Sequence, residues 1–243
     1  MVYEPRTYRK AVDAAGLVSF EVVRAETDLH ISASRELSSE AAALVERLRA
    51  PLEHYIAAHP HFAESFAPVE VERDAPEIVR SMADAARAVG VGPMAAVAGA
   101  LAEGVARGLS ALSSEVIVEN GGDLYLMGAA PRTVLLQAGD SPLSGKVALD
   151  LRAEDLPVAI CTSSGTVGHS VSLGVADAVT VLADDGALAD AAATAVGNLI
   201  HCPSDAEAAV AYGRAIPGVR GVVIIAGERI GAAGAIRLVR VSA

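Results

Sequence analysis

The residues best suited to chemistry lie between Cys161 and Asn198, CTSSGTVGHSVSLGVADAVTVLADDGALADAAATAVGN. A turn rich in hydroxyls and glycine, Thr162, Ser163, Ser164, Gly165 and Thr166, leads to Gly168 and His169. Backbone N–H groups in such a turn can hold phosphate oxygens. After an apolar strand, Ala178 to Leu182, comes a helix carrying Asp190 and Thr194 four residues apart, so both oxygens leave one face. A carboxylate beside a hydroxyl suits a hard cation such as Mg²⁺. Together they read as a site for a metal-bound phosphate ester, most simply a nucleotide. Each feature alone is also what an ordinary turn or a solvated helix face looks like. Their close succession gives the pair its weight. His169 has two readings, a proton acceptor titrating near working pH or a structural hydrogen bond inside its loop.

Other chemistry-bearing residues are weaker. Asn120-Gly121-Gly122-Asp123 has the residue types that tolerate positive φ, a hairpin signal that by itself explains the glycines. His54, His59 and His61 fall close together, but Pro60 intervenes and no Cys or carboxylate completes a regular ligand set. Surface or loop positions are expected for them. Cys161 and Cys202 give neither a disulfide framework nor zinc spacing. Cys161 beside the hydroxyl turn could be a reactive thiol, although a lone Cys after Ala-Ile usually serves as a small buried residue.

The elements that must position these groups read as follows. LVSFEVV and TDLHI are strand-like, either a hairpin or one bulged strand. Ser38 or Ser39 should cap a helix through EAAALVERLRAPLEHYIAAH, with Pro51 as a kink or break. PVEVE could be a short strand, and Ala75-Pro76 opens a helix through Val89. Met94 onward reads as an Ala/Gly-rich helix, where Gly99, Gly104 and Gly108 imply the close approach of another backbone. Strands flank the Asn-Gly-Gly-Asp turn, and TVLLQAG and KVALDL form two more. A helix over 204–215 and strands GVVIIAG and AIRLVRV complete the chain. Hairpin-length turns dominate, which favours α+β with antiparallel sheets over a doubly wound parallel sheet.

Bulk composition narrows the functional classes. The chain has 243 residues, 52% hydrophobic but only 3% aromatic and without Trp, so the core must be built from Ala, Val, Leu and Ile. A net charge of −11 argues against nucleic acid or an anionic membrane as a partner. No signal peptide is visible, and Arg87, Glu103 and Arg107 interrupt the apolar stretch Ala85 to Leu112. No uncharged run there reaches the roughly 20 residues needed to span a bilayer. A cytoplasmic protein is expected, with a homodimer as one option.

The ordered blocks RTYR, ETDL, VGPMAAVAGA, ENGGD, TSSGTVGHS and ADAAAT resemble the ApbE-like proteins, the superfamily of the FAD:protein FMN transferases, and its shorter cytoplasmic branch above all. The resemblance runs from Arg6 to about Gly234. It implies a T-fold-related α+β architecture of antiparallel sheets packed with helices, as a single domain over 1–243 or as two pseudo-repeated halves meeting near residue 115. It implies Mg²⁺ held by Asp190, Thr194 and a backbone carbonyl around Ala95 or Ala96. FAD would be lined by Asn120, Gly121, Gly122 and Asp123 and by Thr162, Ser163, Ser164, Gly165 and Thr166, with His169 at the family's histidine. An acceptor protein would take the FMN. Two departures bear on activity. Gly99 stands at about the position of the family's Lys, and SVSLGVAD replaces its Asp-Pro-x-Thr-Gly run. The alternatives are a non-catalytic flavin- or nucleotide-binding accessory protein and a sulfur-metabolism protein using Cys161.

Overall fold

The structure is a computed structural model describing residues 12–165 and 174–241. An eight-stranded antiparallel sheet runs in the order β1-β2-β3-β4-β7-β8-β9-β10. Its first quartet is the hairpin β1 (Val18–Arg24) and β2 (Thr27–Ala33), then the hairpin β3 (Val116–Asn120) and β4 (Asp123–Met127). Between these hairpins come α1 (Ser38–Ala58), the single turn α2 (His61–Glu64), α3 (Glu77–Val89) and α4 (Val97–Leu109). The second quartet repeats that path. β7 (Val158–Ser163) and β8 (Ala178–Ala183) precede α5 (Gly186–Gly197) and α6 (Ala206–Ala215), and β9 (Val219–Ala226) with β10 (Arg229–Gly234) follows. A three-stranded sheet, β5 (Arg132–Leu135), β6 (Val147–Leu151) and β11 (Leu238–Arg240), forms separately.

Strand alternation gives the large sheet two different faces. Val118, Tyr125, Ala159, Cys161, Val179 and Val222 pack with the helices, in a core made mostly of Ala, Val and Leu. Ile117, Leu124, Leu126, Ile160, Leu182 and Val223 pack instead with Val134, Leu149 and Leu151 of the small sheet. The α+β expectation with antiparallel sheets therefore holds, and small residues do let the helices approach closely. A Cβ on Gly99 of α4 would strike the Gly186 carbonyl at the start of α5. At Gly104 and Gly108 the neighbours are the side chains of Leu48 and Leu44 rather than backbone.

Several local expectations are corrected. Pro51 does not break α1, which continues through it to Ala58. That helix starts after Leu37 with no side-chain cap; the Glu36 carboxylate instead accepts from Ser38 N–H at 3.0 Å. PVEVE forms no strand, and RIGAAG, unmarked by any apolar alternation, is the edge strand β10. His54, His59 and His61 are exposed, the surface positions expected of them. No single helix among the described residues is long and apolar enough to cross a membrane.

Candidate functional site

The site grows from a crossing of two helix starts. Because neither Gly99 nor Gly186 carries a side chain, α4 and α5 meet backbone to backbone, and each helix then supplies a carboxylate to the other. Gly99 N–H donates to Asp190 Oδ2 at 3.0 Å, and Gly186 N–H donates to Glu103 Oε2 at 2.6 Å. Both bonds satisfy amide groups at helix starts that intrahelical bonding leaves open. They also fix Asp190 against the beginning of α4.

The Asn-Gly-Gly-Asp turn comes to the same place. It joins β3 to β4 with positive φ at Gly121 (67°) and Gly122 (108°), as the hairpin reading requires. Asn120 reaches across to α4, its Nδ2 donating to the Ala98 carbonyl at 3.1 Å. Asp123 is 7% exposed and accepts from Thr162 N–H at 3.0 Å. Three separated segments thus converge, β3–β4 at 120–123, the end of β7, and α5.

Electrostatics mark this convergence. Burial pushes the Asp123 carboxyl up to about 7; hydrogen bonds from Thr162 N–H and the Cys161 thiol oppose the shift, and the charge of Glu119 adds to it. Asp190 rises well above the carboxylate range through burial and then through the charge of Asp123, against the Gly99 and Ala98 amides. Asp123 thus raises Asp190 and is itself raised by burial and Glu119, and no basic side chain among the described residues offsets either acid. Ser163 adds a hydroxyl that is only 6% exposed and has no hydrogen-bond partner among the described residues. Strand alternation puts it on the Cys161 face of β7, toward the helices.

An Mg²⁺ ion fits this donor set. Carboxylate, hydroxyl and amide-carbonyl oxygens are the hard ligands it takes, and Asp123 and Asp190 each engage one oxygen with a backbone amide. Thr194 lies one turn along α5 from Asp190 and is half-buried. The backbone that meets Asp190 is that of Ala98 and Gly99. Ala95 sits three residues earlier in a 3₁₀ turn, its N–H donating to Gly92 at 3.1 Å.

The Thr162 hydroxyl is bonded to that of Thr180 at 2.9 Å, so Thr162 brings its amide rather than its side chain to Asp123. Gly165 N–H is engaged by the Ala176 carbonyl at 3.0 Å, and Ser164 follows the end of β7. Thr166 and His169 lie outside the described residues. Cys161 is fully buried; burial and then the charges of Asp123 and Asp190 push its thiol well up, and its Sγ lies 3.8 Å from the Gly186 carbonyl. That holds it as a neutral thiol, the opposite of what a nucleophile needs.

Beside Asp190 opens a cleft of about 450 Å³ that sequence reasoning missed. Its walls are Arg49, Leu52, Ile56 and Ala57 of α1 and Met94, Val97, Ala98 and Leu101 near the start of α4; Thr27 and Asn120 also border it. Ala98 belongs to cleft and site alike, since the next amide is the one bound by Asp190. The only signal of the cleft in the sequence is Arg49 four residues before Glu53, a spacing that reads as an ordinary solvent-side helix pair.

Comparison with known proteins gives the family and the fold. The family model described as "AbpE bacteria" matches residues 9–227. UPF0280 protein MJ1526 of Methanocaldococcus jannaschii is 43% identical over 198 residues, covering 79% of this chain and 80% of the relative. UPF0280 protein MK0206 of Methanopyrus kandleri is 46% identical over 196 residues, covering 80% and 78%. Among solved structures, the ApbE protein of Thermotoga maritima aligns with TM-score 0.55 at 14% identity, over 88% of this chain and 96% of its own. The apo flavinyl transferase ApbE of Pseudomonas stutzeri gives TM-score 0.53 at 15% identity, over 90% and 94%. At these identities the structural likeness establishes the fold.

Proposed function

Since the chain belongs to the AbpE bacteria family, we propose that it binds a flavin nucleotide, FAD, with Mg²⁺ at the Asp123–Asp190 site and passes FMN to an acceptor protein. The observation that carries this reading is the pair of carboxylates, Asp123 buried and Asp190 half-buried, brought together from β4 and α5 without a basic partner among the described residues. The names of the structural neighbours, flavin and flavinyl transferases, agree with it. Asp123, Asp190 and Thr194 would hold the ion. A bound Mg²⁺ supplies neutralisation of pyrophosphate charge.

The chain's own residues have separable tasks in this proposal. Gly99 and Thr162 amides orient the two carboxylates, while Asn120 holds the start of α4 in place. Ser163 is the buried hydroxyl left to meet a phosphate oxygen. His169 would accept the proton of the acceptor hydroxyl as that oxygen bonds to the FMN phosphorus and AMP departs.

One observation favours a second reading, an accessory protein that binds flavin nucleotide without turnover. Gly99 is packed against the Gly186 carbonyl, so no side chain, and no cation, can occupy that position. Incubating the protein with FAD and Mg²⁺ while following flavin fluorescence and AMP release separates the two. AMP release that Asp190→Asn abolishes is the expected result. Tight Mg²⁺-dependent binding without AMP selects the accessory reading, and FAD binding indifferent to Mg²⁺ and to Asp190→Asn defeats the metal assignment.

A further inference from the structure

The cleft beside Asp190 has a corner that the proposed function leaves unused, where α1 faces the β1–β2 turn. Arg49 lies there with its side chain only 12% exposed. Its Nε donates to Glu53 at 2.9 Å, Nη2 reaches Glu26 at 2.8 Å and Glu53 at 2.7 Å, and Nη1 donates to the Thr27 hydroxyl. A guanidinium has five N–H groups in a rigid fork. Donations from all three nitrogens fix the plane, and Nη1, which bonds Thr27, keeps a second N–H on a residue that lines the cleft.

We infer that Arg49 is a specificity-determining residue of this cleft, presenting that N–H to a carbonyl oxygen of a flat, neutral heteroaromatic ring. Charge decides against an anion. Glu26 and Glu53 both bear on one guanidinium, so the corner is net negative, and the nearby Arg24 is exposed and paired with Glu46 at 2.8 Å. A phosphate would meet repulsion there. A ring carbonyl beside a ring N–H finds both a donor in Arg49 and acceptors in the glutamates. Leu52, Ile56, Met94 and Val97 offer the apolar surface that the faces of such a ring need. This rests on the flavin-nucleotide reading and adds its polarity: the ring enters the cleft, and the phosphates stay with Asp123 and Asp190.

Equilibrium binding of riboflavin, FMN and FAD, each with and without Mg²⁺, tests the assignment. Riboflavin carries no phosphate. Arg49→Lys keeps the charge and loses the fork, and it should weaken all three ligands by the same factor, about tenfold for one hydrogen bond, regardless of Mg²⁺. Ala57→Phe fills the cleft from an exposed position without touching the bonds of Arg49, and should abolish riboflavin binding; it carries the test if Arg49→Lys does not fold. Failure of the unaltered protein to bind riboflavin, a loss confined to FMN and FAD, or riboflavin binding unchanged in either variant overturns the inference. If FAD still requires Mg²⁺ and Asp190 in that event, the flavin-nucleotide reading survives alone. If no flavin nucleotide binds at all, both fall.

Discussion

Two enclosed charged clusters of this molecule behave oppositely. Just before β3, Glu115 pairs with Arg132 of β5 at 3.0 Å and also accepts from the Ala129 and Ala130 amides at 2.7 and 3.1 Å. Burial alone would raise the Glu115 carboxyl, but those hydrogen bonds and the guanidinium bring it below the usual range. On the helix face Asp123 and Asp190 also accept backbone amides, yet each stands near another acid and both are raised. The first cluster is complete within the chain. The second costs stability until something positive arrives, which is the pattern of a site rather than a strut.

The largest effect should come from breaking the complete cluster. Arg132→Met leaves Glu115 enclosed without its cation, and removing one partner of such a pair costs about 3–5 kcal/mol. Arg132 also donates to the backbone of Asp13 and Ala15, so part of the loss is the anchoring of that segment. Urea unfolding in the presence of EDTA measures it. Asp190→Asn under the same conditions should be neutral or stabilising, because it removes the cost of holding a raised acid in its protonated form. If both substitutions destabilise alike, the two clusters are the same kind of structure and the contrast is lost.

A smaller effect separates the clusters by pH. Asp123 holds its proton up to about 7 in the folded state, against an ordinary value of 3.8. Between those limits the unfolded chain has lost that proton and the folded one has not, so metal-free stability falls as pH rises through the window and levels off above it. Glu115 has the opposite sign: its lowered folded value stabilises above the ordinary carboxylate range and is lost as pH falls through it. Mg²⁺, or Asp123→Asn, should flatten only the first limb in a pH series of urea midpoints. A limb between pH 4 and 7 that ignores both would remove Asp123 from the site.

How much of this was legible follows from which contacts are local. The Asn120–Asp123 hairpin and the one-face placement of Asp190 with Thr194 are written in short-range spacing, and both stand. That Gly99 lies against another backbone could be suspected from a glycine inside a helix, but its partner Gly186 is 87 residues away by numbering and carries no local mark. Arg49 and Glu53 spell an ordinary i,i+4 helix pair, whereas the other partners of Arg49, Glu26 and Thr27, come from the β1–β2 turn. Pro51 read as a kink or break because propensity weighs one residue, whereas α1 runs through it, held by packing of Leu44, Val45, Leu52 and Tyr55 on both sides. Thr162 was expected beside the FAD; that its hydroxyl meets Thr180 of β8 follows from strand pairing and carries no local mark.

The smallest expected effect tests whether Cys161 belongs to either cluster. Its thiol donates to Asp123 and stands among Asp123, Asp190 and the Gly186 carbonyl, so its position is as central as that of either acid. Centrality is not reactivity. An enclosed thiol surrounded by negative charge stays protonated, and a neutral thiol neither attacks nor binds a metal well. Cys161→Ala should therefore cost no more than about 1 kcal/mol for one weak hydrogen bond and a small void. It should leave Mg²⁺-dependent flavin binding in place and raise the Asp123 carboxyl further by removing its donor. Loss of flavin binding in a folded Cys161→Ala protein, or rapid alkylation of Cys161 by iodoacetamide in the native state, would put the thiol inside the chemistry and the contrast between the clusters would need redrawing around it.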